Sequence, residues 1–454
     1  MESLFNTRFN WNVFLIIAIL IYLFFPGLSW YSYLAILISI HQFFLLFFSI
    51  DHVLPIRYLF GTLMCLQMFI GPVLAYNGVD DYQYFMYTMK VPEAVYFSYV
   101  IPAVSCFIIG LHFTAGKLKG EMLNVNALHA FTNARPDLPF WLIGIGFVAS
   151  MIAGFFSSDL AFVFYLLGNF KYIGAFLLVL SGKQLKTIAL VIVYGSIVLS
   201  SLGGGMFHDL LTWLMMIGAV LAIKYKPGIN TKAIAGGLFI FLAILIQQVK
   251  GTYRDATAEG QEAGVETFQK VVEEGREANT LFSFKSLAIS TVRINQGFII
   301  TNIMTQVPAK VPFANGTELG IILEAAILPR ILAPNKLNAG DRALFTKYSG
   351  MGLRRGTSMG LSSVGDAYIN FGIVGGCLFM FCLGFLYNTV LKLFDKYGKE
   401  FPVLLLFVPL VFYYPIRPDC ELQTILGHLV KSCFLIFVIF FIWKKQFRVQ
   451  PAES

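Results

Sequence analysis

Cationic side chains gather where apolar runs of this chain give way to polar connections. Lys250 and Arg254 stand four apart, which puts them on one helical face. Arg417, Asp419 and Glu421 precede an apolar run in which His428 and Lys431 stand three apart. Arg293, Arg330, Lys336, Arg342, Arg354 and Arg355 share one long polar segment. His208 and Asp209 open another apolar run in GGGMFHD, and Asp366 opens one more. Across residues 250–355 arginine outnumbers lysine seven to six, whereas the short connections elsewhere are mostly lysine. Arginine presents a planar fork that matches phosphate oxygens, and lysine acts as a point charge. An arginine-rich surface beside apolar runs points to an anionic ligand that arrives in a membrane. A lipid-linked diphosphate has that chemistry. Each residue alone has a plainer reading. Long cations snorkel to headgroups, Ser363-x-x-Asp366 fits a helix capping box, and His428 can serve as a simple hydrogen-bond partner. In LPRILAPNK (328–336), Pro329 and Pro334 fix the backbone around Arg330, either to hold it ready or to make a rigid turn.

The elements that must position these residues are membrane helices. The chain has 454 residues, 57% hydrophobic and 13% charged, against about 25% charged in soluble domains. A span needs about 20 mostly apolar residues, and its backbone must satisfy itself, which makes it a helix. Twelve spans are predicted, near 11–28, 31–49, 58–77, 95–114, 139–156, 161–180, 187–202, 208–224, 232–249, 367–391, 402–416 and 426–443. The first lacks a basic start and a small-residue cleavage site, so it reads as a retained helix. The fourth carries Pro102 and several serines, and the eleventh is short.

With both termini in the cytoplasm, most short-loop Lys and Arg fall inside and only Lys90 and Arg417 fall in short outer loops. The net charge of +8 is thus a topology signal, and no nucleic-acid partner is needed to explain it. The expected organisation is nine spans in 1–249, a large outer segment at 250–366, and the last three spans with a tail at 367–454. Within the outer segment, Val265, Phe268, Val271 and Val272 form one apolar face. Two or three helices are expected to lie along the outer membrane surface. The six cysteines show neither disulfide framework nor zinc spacing. Asp80 and Asp81 make no metal pair, and no metal or cofactor is expected. The Gly-Ile-Gly of the fifth span reads as helix packing, because no strand precedes it. His41 and Lys171 lie in mid-span, where ionisable groups are functional candidates by default. No internal repeat of the transporter type is present.

Three stretches, RINQGFIITNIMTQVPAKVPFANGTELG, LPRILAPNK and TSMGLSSVGDAYINFGIVGG, resemble the bacterial Wzy-type O-antigen and exopolysaccharide repeat-unit polymerases. The resemblance covers residues 290–376, through P-R-x-L-x-P-x-K and G-[DE]-A-Y-x-N-F-G. Many relatives carry Glu at the position of Asp366 and an Arg in the Gly-rich turn matched by GGGMFHD. Here His208 and Asp209 occupy that turn.

The resemblance implies an all-α membrane protein of the lipid-phosphosugar glycosyltransferase (GT-C-like) class in the bacterial inner membrane. The implied activity transfers a growing glycan from undecaprenyl diphosphate to the next lipid-linked repeat unit at the periplasmic face. The implied partners are the lipid-linked oligosaccharide, membrane lipids, a chain-length regulator and a flippase. On that expectation Arg293, Arg330, Lys336 and Arg417, with Arg254 after them, bind the diphosphate. Asp366 or His428 accepts the acceptor proton, and Asn295, Gln296, Tyr368 and Asn370 bind sugar hydroxyls. The alternatives are an O-antigen ligase with the same donor, a polysaccharide transporter or flippase, and a non-catalytic scaffold.

Overall fold

The structure is a computed structural model. It describes residues 10–78, 87–114, 123–156, 158–181, 186–205, 207–258, 261–278, 280–283, 294–328, 333, 336–337, 340–353 and 359–447. Among the described residues the regular elements are helices, and ten of these are long and apolar enough to cross a membrane. The chain is an all-α, multi-pass membrane protein. The order is α1 (Trp11–Phe24), α2 (Trp30–Ser49), α3 (Ile56–Tyr76), α4 (Glu93–His112), the short α5 (Val125–Ala134), α6 (Leu138–Phe155), α7 (Leu160–Leu180) and α8 (Lys186–Gly204). Next come α9 (His208–Tyr225), α10 (Ile229–Ala258), α11 (Val265–Glu277), α12 (Gly297–Gln306), α13 (Thr317–Ile327), α14 (Arg342–Ser349), α15 (Ser362–Gly398) and α16 (Leu422–Ile442). All twelve predicted spans fall on helix, but α1 and the Pro402–Val411 segment are shorter than a span requires.

Contacts sort the connections onto two sides. On one side Glu93 accepts from Ser29 and Ser32, both at 2.5 Å, and the Tyr99 hydroxyl donates to the Val364 carbonyl at 2.7 Å. This side carries the long connection after α10 and is called the loop side. On the opposite side Lys232 meets Asp51 at 3.1 Å and Arg57 donates to Asn388 at 2.9 Å.

Close helix pairs build the centre. A Cβ on Gly384 would run into the Phe107 carbonyl, and one on Gly110 into that of Phe381. Only glycine lets α4 and α15 approach so nearly, as is common where packing rather than water exclusion drives association in lipid. Gly146 of the Gly-Ile-Gly run lies in the same way against the Lys171 backbone. The Lys171 ammonium sits over the rings of Phe147 and Tyr172, at 5.2 and 5.4 Å. In α3 the turn Leu66–Ile70 is a π-helix. The Gln67 carbonyl there accepts the Gln296 N–H at 3.2 Å, which seats the start of α12 on α3.

Three expectations need correction. First, the outer segment is not a set of helices lying on a surface. α10 continues to Ala258, and α12 is buried through Phe298, Ile299, Ile300 and Ile303. α11 and α14 do show the expected amphipathic pattern, with Val271 in one and Phe345 and Tyr348 in the other inward and their charges outward.

Second, the tenth span begins later than its helix. Gly372, at φ 65° and ψ −155°, breaks α15 into an arm, residues 362–371, and a membrane portion. At 1.5 Å per residue an unbroken helix of 37 residues would be about 55 Å long, far more than the ~30 Å hydrocarbon thickness. The arm is buried from Ser362 to Asn370 under the loop-side cap.

Third, the eleventh predicted span is a broken crossing. It runs as a 3-10 helix, Pro402–Phe407, then one α turn, Val408–Val411. Phe401 packs on Phe440 at 5.9 Å on the opposite side, and the segment reaches the loop side by Leu422, which bonds Asp366. Residues 401–413 are buried throughout. Irregular backbone is tolerated at membrane depth only inside protein, so this segment threads the middle of the bundle.

Candidate functional site

The first turns of α16 separate two polar regions on the loop side. One is a cleft of about 280 Å³ between α13, α14, the 362–371 arm and α16. Asp366, Asp341, Glu421 and Gln423 line it. The expected capping box is not what forms here. Ser362 Oγ accepts the Gly365 N–H at 3.2 Å and caps its own helix. Asp366 Oδ2 instead accepts the Leu422 N–H at 2.9 Å and caps α16. Asp341 accepts the Leu344 N–H at 2.9 Å and caps α14. Glu421 Oε1 accepts from the Gly340 N–H at 2.5 Å and the Thr424 hydroxyl at 2.8 Å.

Asn370 braces the same region. Its Oδ1 accepts the Leu319 N–H at 3.1 Å, and its Nδ2 donates to the Asp366 carbonyl at 2.9 Å. The Lys336 ammonium donates to the Leu328 carbonyl at 2.8 Å. That satisfies a free carbonyl at the end of α13 and meets the negative end of its dipole. The cleft is thus a set of helix caps tied to one another.

The second region lies on the other face of α16 and is built by FYYPIRPDCE (412–421). Pro415 cannot donate a backbone hydrogen bond, which ends the helical turn before it. The chain then folds back through turns, Arg417 N–H to the Tyr414 carbonyl at 3.0 Å and Cys420 N–H to the Arg417 carbonyl at 3.2 Å. These turns carry Tyr413, Tyr414, Arg417 and Asp419 over the start of α9. The Tyr413 hydroxyl donates to Asp209 Oδ1. The Tyr413 ring stands 5.7 Å from Trp213, which stacks on Tyr172 at 4.1 Å.

Arg417 is mostly buried. Its Nη2 meets Asp419 Oδ2 at 3.2 Å, its guanidinium lies 5.4 Å from the Tyr414 ring centre, and its Nε is buried with no partner. Burial disfavours the Arg417 charge, but Cys420, Asp419 and Tyr414 outweigh it and hold the group above the ordinary arginine value. Burial likewise works to raise the Asp419 carboxyl, and the facing Arg417 more than offsets this, leaving it below the usual carboxylate range. The pair therefore stays charged through neutral pH.

His428 is 2% exposed. Its Nε2 lies 2.7 Å from the Leu410 carbonyl, an acceptor, so Nε2 carries the proton. That leaves Nδ1 as the basic nitrogen, buried with no partner. The imidazole contacts the Tyr414 ring at 5.0 Å and the Phe162 ring at 5.9 Å. Lys431 Nζ lies over the same Phe162 ring, at 4.7 Å. His428 and Arg417 thus share Tyr414 as a common neighbour. The charges of Arg417, Asp419 and Lys250 all act on His208, at the start of α9.

The other predicted residues are placed differently. Arg254 Nε donates to the Gly205 carbonyl at 2.8 Å, bracing the Gly-rich turn of GGGMFHD from α10. Tyr368 packs on Tyr99 at 5.1 Å, its hydroxyl 3.5 Å from the Val307 carbonyl. Asn295 is buried, with Nδ2 3.5 Å from Met89 Sδ, and its backbone lies against Gly71. Gln296 makes its bond to α3 through its own N–H. Asn370 and Tyr368 hold helices together, whereas Asn295 Oδ1 is buried with no partner. Arg293 and Arg330 lie outside the described residues. The structure brings Arg417 and His428 together and puts Asp366 across α16 from them. Tyr413 and Tyr414 were not expected in the site, and Asp209 was grouped with the polar residues at the helix ends without a role. The spacing Tyr414-x-x-Arg417 was the available signal, since it allows a ring to meet a cation across one turn.

Among the described residues no three His, Cys, Asp or Glu side chains could hold a metal ion. Fold and site together define an all-helical multi-pass membrane protein with a buried basic and aromatic site at one end of its bundle. A family model described as a domain of unknown function (DUF8712) matches residues 122–447, which takes in both polar regions. The chain belongs to that family. No curated protein and no solved structure matches it.

Proposed function

We propose that this protein is a membrane glycosyltransferase that polymerises lipid-linked oligosaccharide repeat units. It sits in a bacterial inner membrane with the loop side in the periplasm and both termini in the cytoplasm. The observation that supports this reading is the pairing of two unpartnered buried groups, Arg417 Nε and His428 Nδ1, around Tyr414. Native proteins leave few buried polar atoms unpaired, and those few call for a reason. A donor on a fixed cation and an acceptor on a neutral imidazole are what glycosyl transfer from a diphosphate needs.

In this mechanism the hydroxyl oxygen of the incoming repeat unit attacks the anomeric carbon of the growing glycan. The bond from that carbon to the undecaprenyl diphosphate oxygen breaks. His428 Nδ1 takes the hydroxyl proton, and the Leu410 carbonyl steadies the ring through its other nitrogen. Arg417 stabilises the charge that develops on the departing diphosphate. Asp419 fixes its fork, so little reorganisation is needed during reaction. Arg293 and Arg330 are further diphosphate ligands by residue type, whereas Lys336 and Arg254 are engaged with backbone carbonyls.

The test is complementation of a deletion strain, read as a ladder of glycan chain lengths. Wild-type protein restores the ladder, and a folded Arg417→Ala variant leaves single repeat units on the final carrier. A full ladder from that variant removes Arg417 from the site. Loss of all attached repeats in the deletion strain would instead indicate the ligase reaction.

A further inference from the structure

One span stands away from the bundle. Residues 229–241 of α10 are exposed around the helix, with only Lys232 and Phe239 half-buried. Ile234, Leu238 and Phe241 share one face and are 51–64% exposed, yet Ile229 and Ile240, on nearly the opposite face, are 61% and 51% exposed. Ala233, Ala235, Gly236 and Gly237 leave the helix thin between them, and a Cβ on either glycine would meet nothing within 4 Å. Among the described residues no helix packs against either face, and only Phe241 is met there, by the Phe282 ring stacked at 5.1 Å. The two ends are tied down. Lys232 meets Asp51 at 3.1 Å on the opposite side. On the loop side Tyr253 donates to the Leu202 carbonyl at 3.0 Å, and Arg254 holds Gly205.

The charge pattern says what runs along this helix. Lys250 and Arg254 crown α10; Arg254 holds Gly205, and His208, three residues on, faces the Tyr413 ring at 6.0 Å in the turn that carries Arg417. Below them the exposed surface is wholly apolar down to Lys232. From residue 250 to residue 229 the helix covers about 30 Å, the thickness of the hydrocarbon. A cationic crown over a bilayer-deep apolar flank complements a ligand with an anionic head and one very long apolar tail.

We propose that the free half of α10 is the binding face for the polyisoprenoid tail of the donor, which lies along residues 229–241 while its diphosphate rests at Arg417. The identity of that lipid rests on the function proposed above. The tail needs no new polar contact. Its binding comes from apolar contact alone, so selectivity over two-chain lipids comes from the head group at Arg417 and from the slender surface at Ala233–Gly237.

The full chain in nanodiscs, illuminated with a polyprenyl diphosphate bearing a photoreactive group in its tail, tests this. Adducts are expected on residues 234–241, suppressed severalfold by excess unlabelled polyprenyl diphosphate and not by phosphatidylglycerol. Arg417→Ala is expected to abolish that specificity. Adducts spread evenly over the lipid-facing residues of α6 and α8, or suppressed equally by both lipids, would overturn the proposal. A disulfide between copies through Leu238→Cys that blocks labelling gives the face to a second copy and overturns it too. Specific adducts confined to another helix sink the α10 assignment but leave the Arg417 reading standing. Absence of specific adducts anywhere sinks both.

Discussion

The two faces of the α16 N-terminus carry comparable numbers of polar groups and use them in opposite ways. On one, Asp366, Asp341 and Glu421 each accept a backbone N–H, and Lys336 meets a backbone carbonyl. On the other, Arg417 and His428 each retain a buried nitrogen without a partner. Helix ends expose unsatisfied backbone groups, and acidic residues near them are the ordinary way to satisfy these. Acidic character at a cleft is therefore weak evidence of chemistry. Two unpaired atoms held side by side among paired ones are stronger evidence, because burial without a partner costs stability and both call for a partner at one place.

The comparison breaks most readily at His428. His428→Gln keeps a donor for the Leu410 carbonyl and removes the base. Turnover of lipid-linked repeats is expected to fall about 10²–10⁴-fold, and the acidic limb of the pH–rate profile should disappear. The Arg417–Asp419 pair stays charged through neutral pH and gives no such limb, whereas burial raises the Asp366 carboxyl to about 7, so the Asp366→Asn profile separates the carboxyl from the imidazole. Unchanged turnover in a folded His428→Gln protein would end the assignment.

Arg417→Lys follows. It keeps the charge and loses the fork over Tyr414, so a loss of about 10²-fold in single-turnover transfer is expected. Equal rates for Lys and Arg would mean that a point charge is enough.

Asp366 sharpens the contrast. Asn retains an oxygen for the Leu422 N–H, so Asp366→Asn should stay within a few-fold of wild-type transfer, whereas Asp366→Ala should cost about 1 kcal/mol of stability in thermal unfolding. If Asp366→Asn is as inactive as His428→Gln, the cleft has a chemical role and the comparison fails. The smallest effect is expected from Lys336→Met, about 0.3–1 kcal/mol of stability with transfer intact. A ladder lost in that variant would return Lys336 to the diphosphate site.

Much of the fold was legible because membrane spans are written locally. A run of apolar residues needs no distant partner to become a helix in lipid, so all twelve predicted spans meet a helix. The misread elements were those whose form depends on neighbours. α12 looked like a surface helix, but its seat on the π turn of α3 is invisible in either segment alone. Pro402–Val411 looked like a short span, and only enclosure by the bundle permits its broken course. Gly372 reads as one glycine among several, and its positive φ is what separates the buried arm from the membrane helix.

The candidate site was legible in its residue types and not in its pairings. Arg417 and His428 were singled out by charge and by position near a helix end. Tyr368 and Asn370 were singled out by polarity alone, and burial turned them into struts, whereas Asn295 keeps a buried oxygen without a partner. Asp366 meets Leu422 across 56 residues of chain, and Tyr413 reaches Asp209 across 204. No local spacing encodes such distances.

The sequence by itself determined which segments enter the membrane, because transfer of apolar side chains from water is a local, additive quantity. Only the tertiary structure decided which polar atoms are consumed by helix caps and which stay unpaired, because a hydrogen bond depends on distance and angle between groups that the chain brings together last.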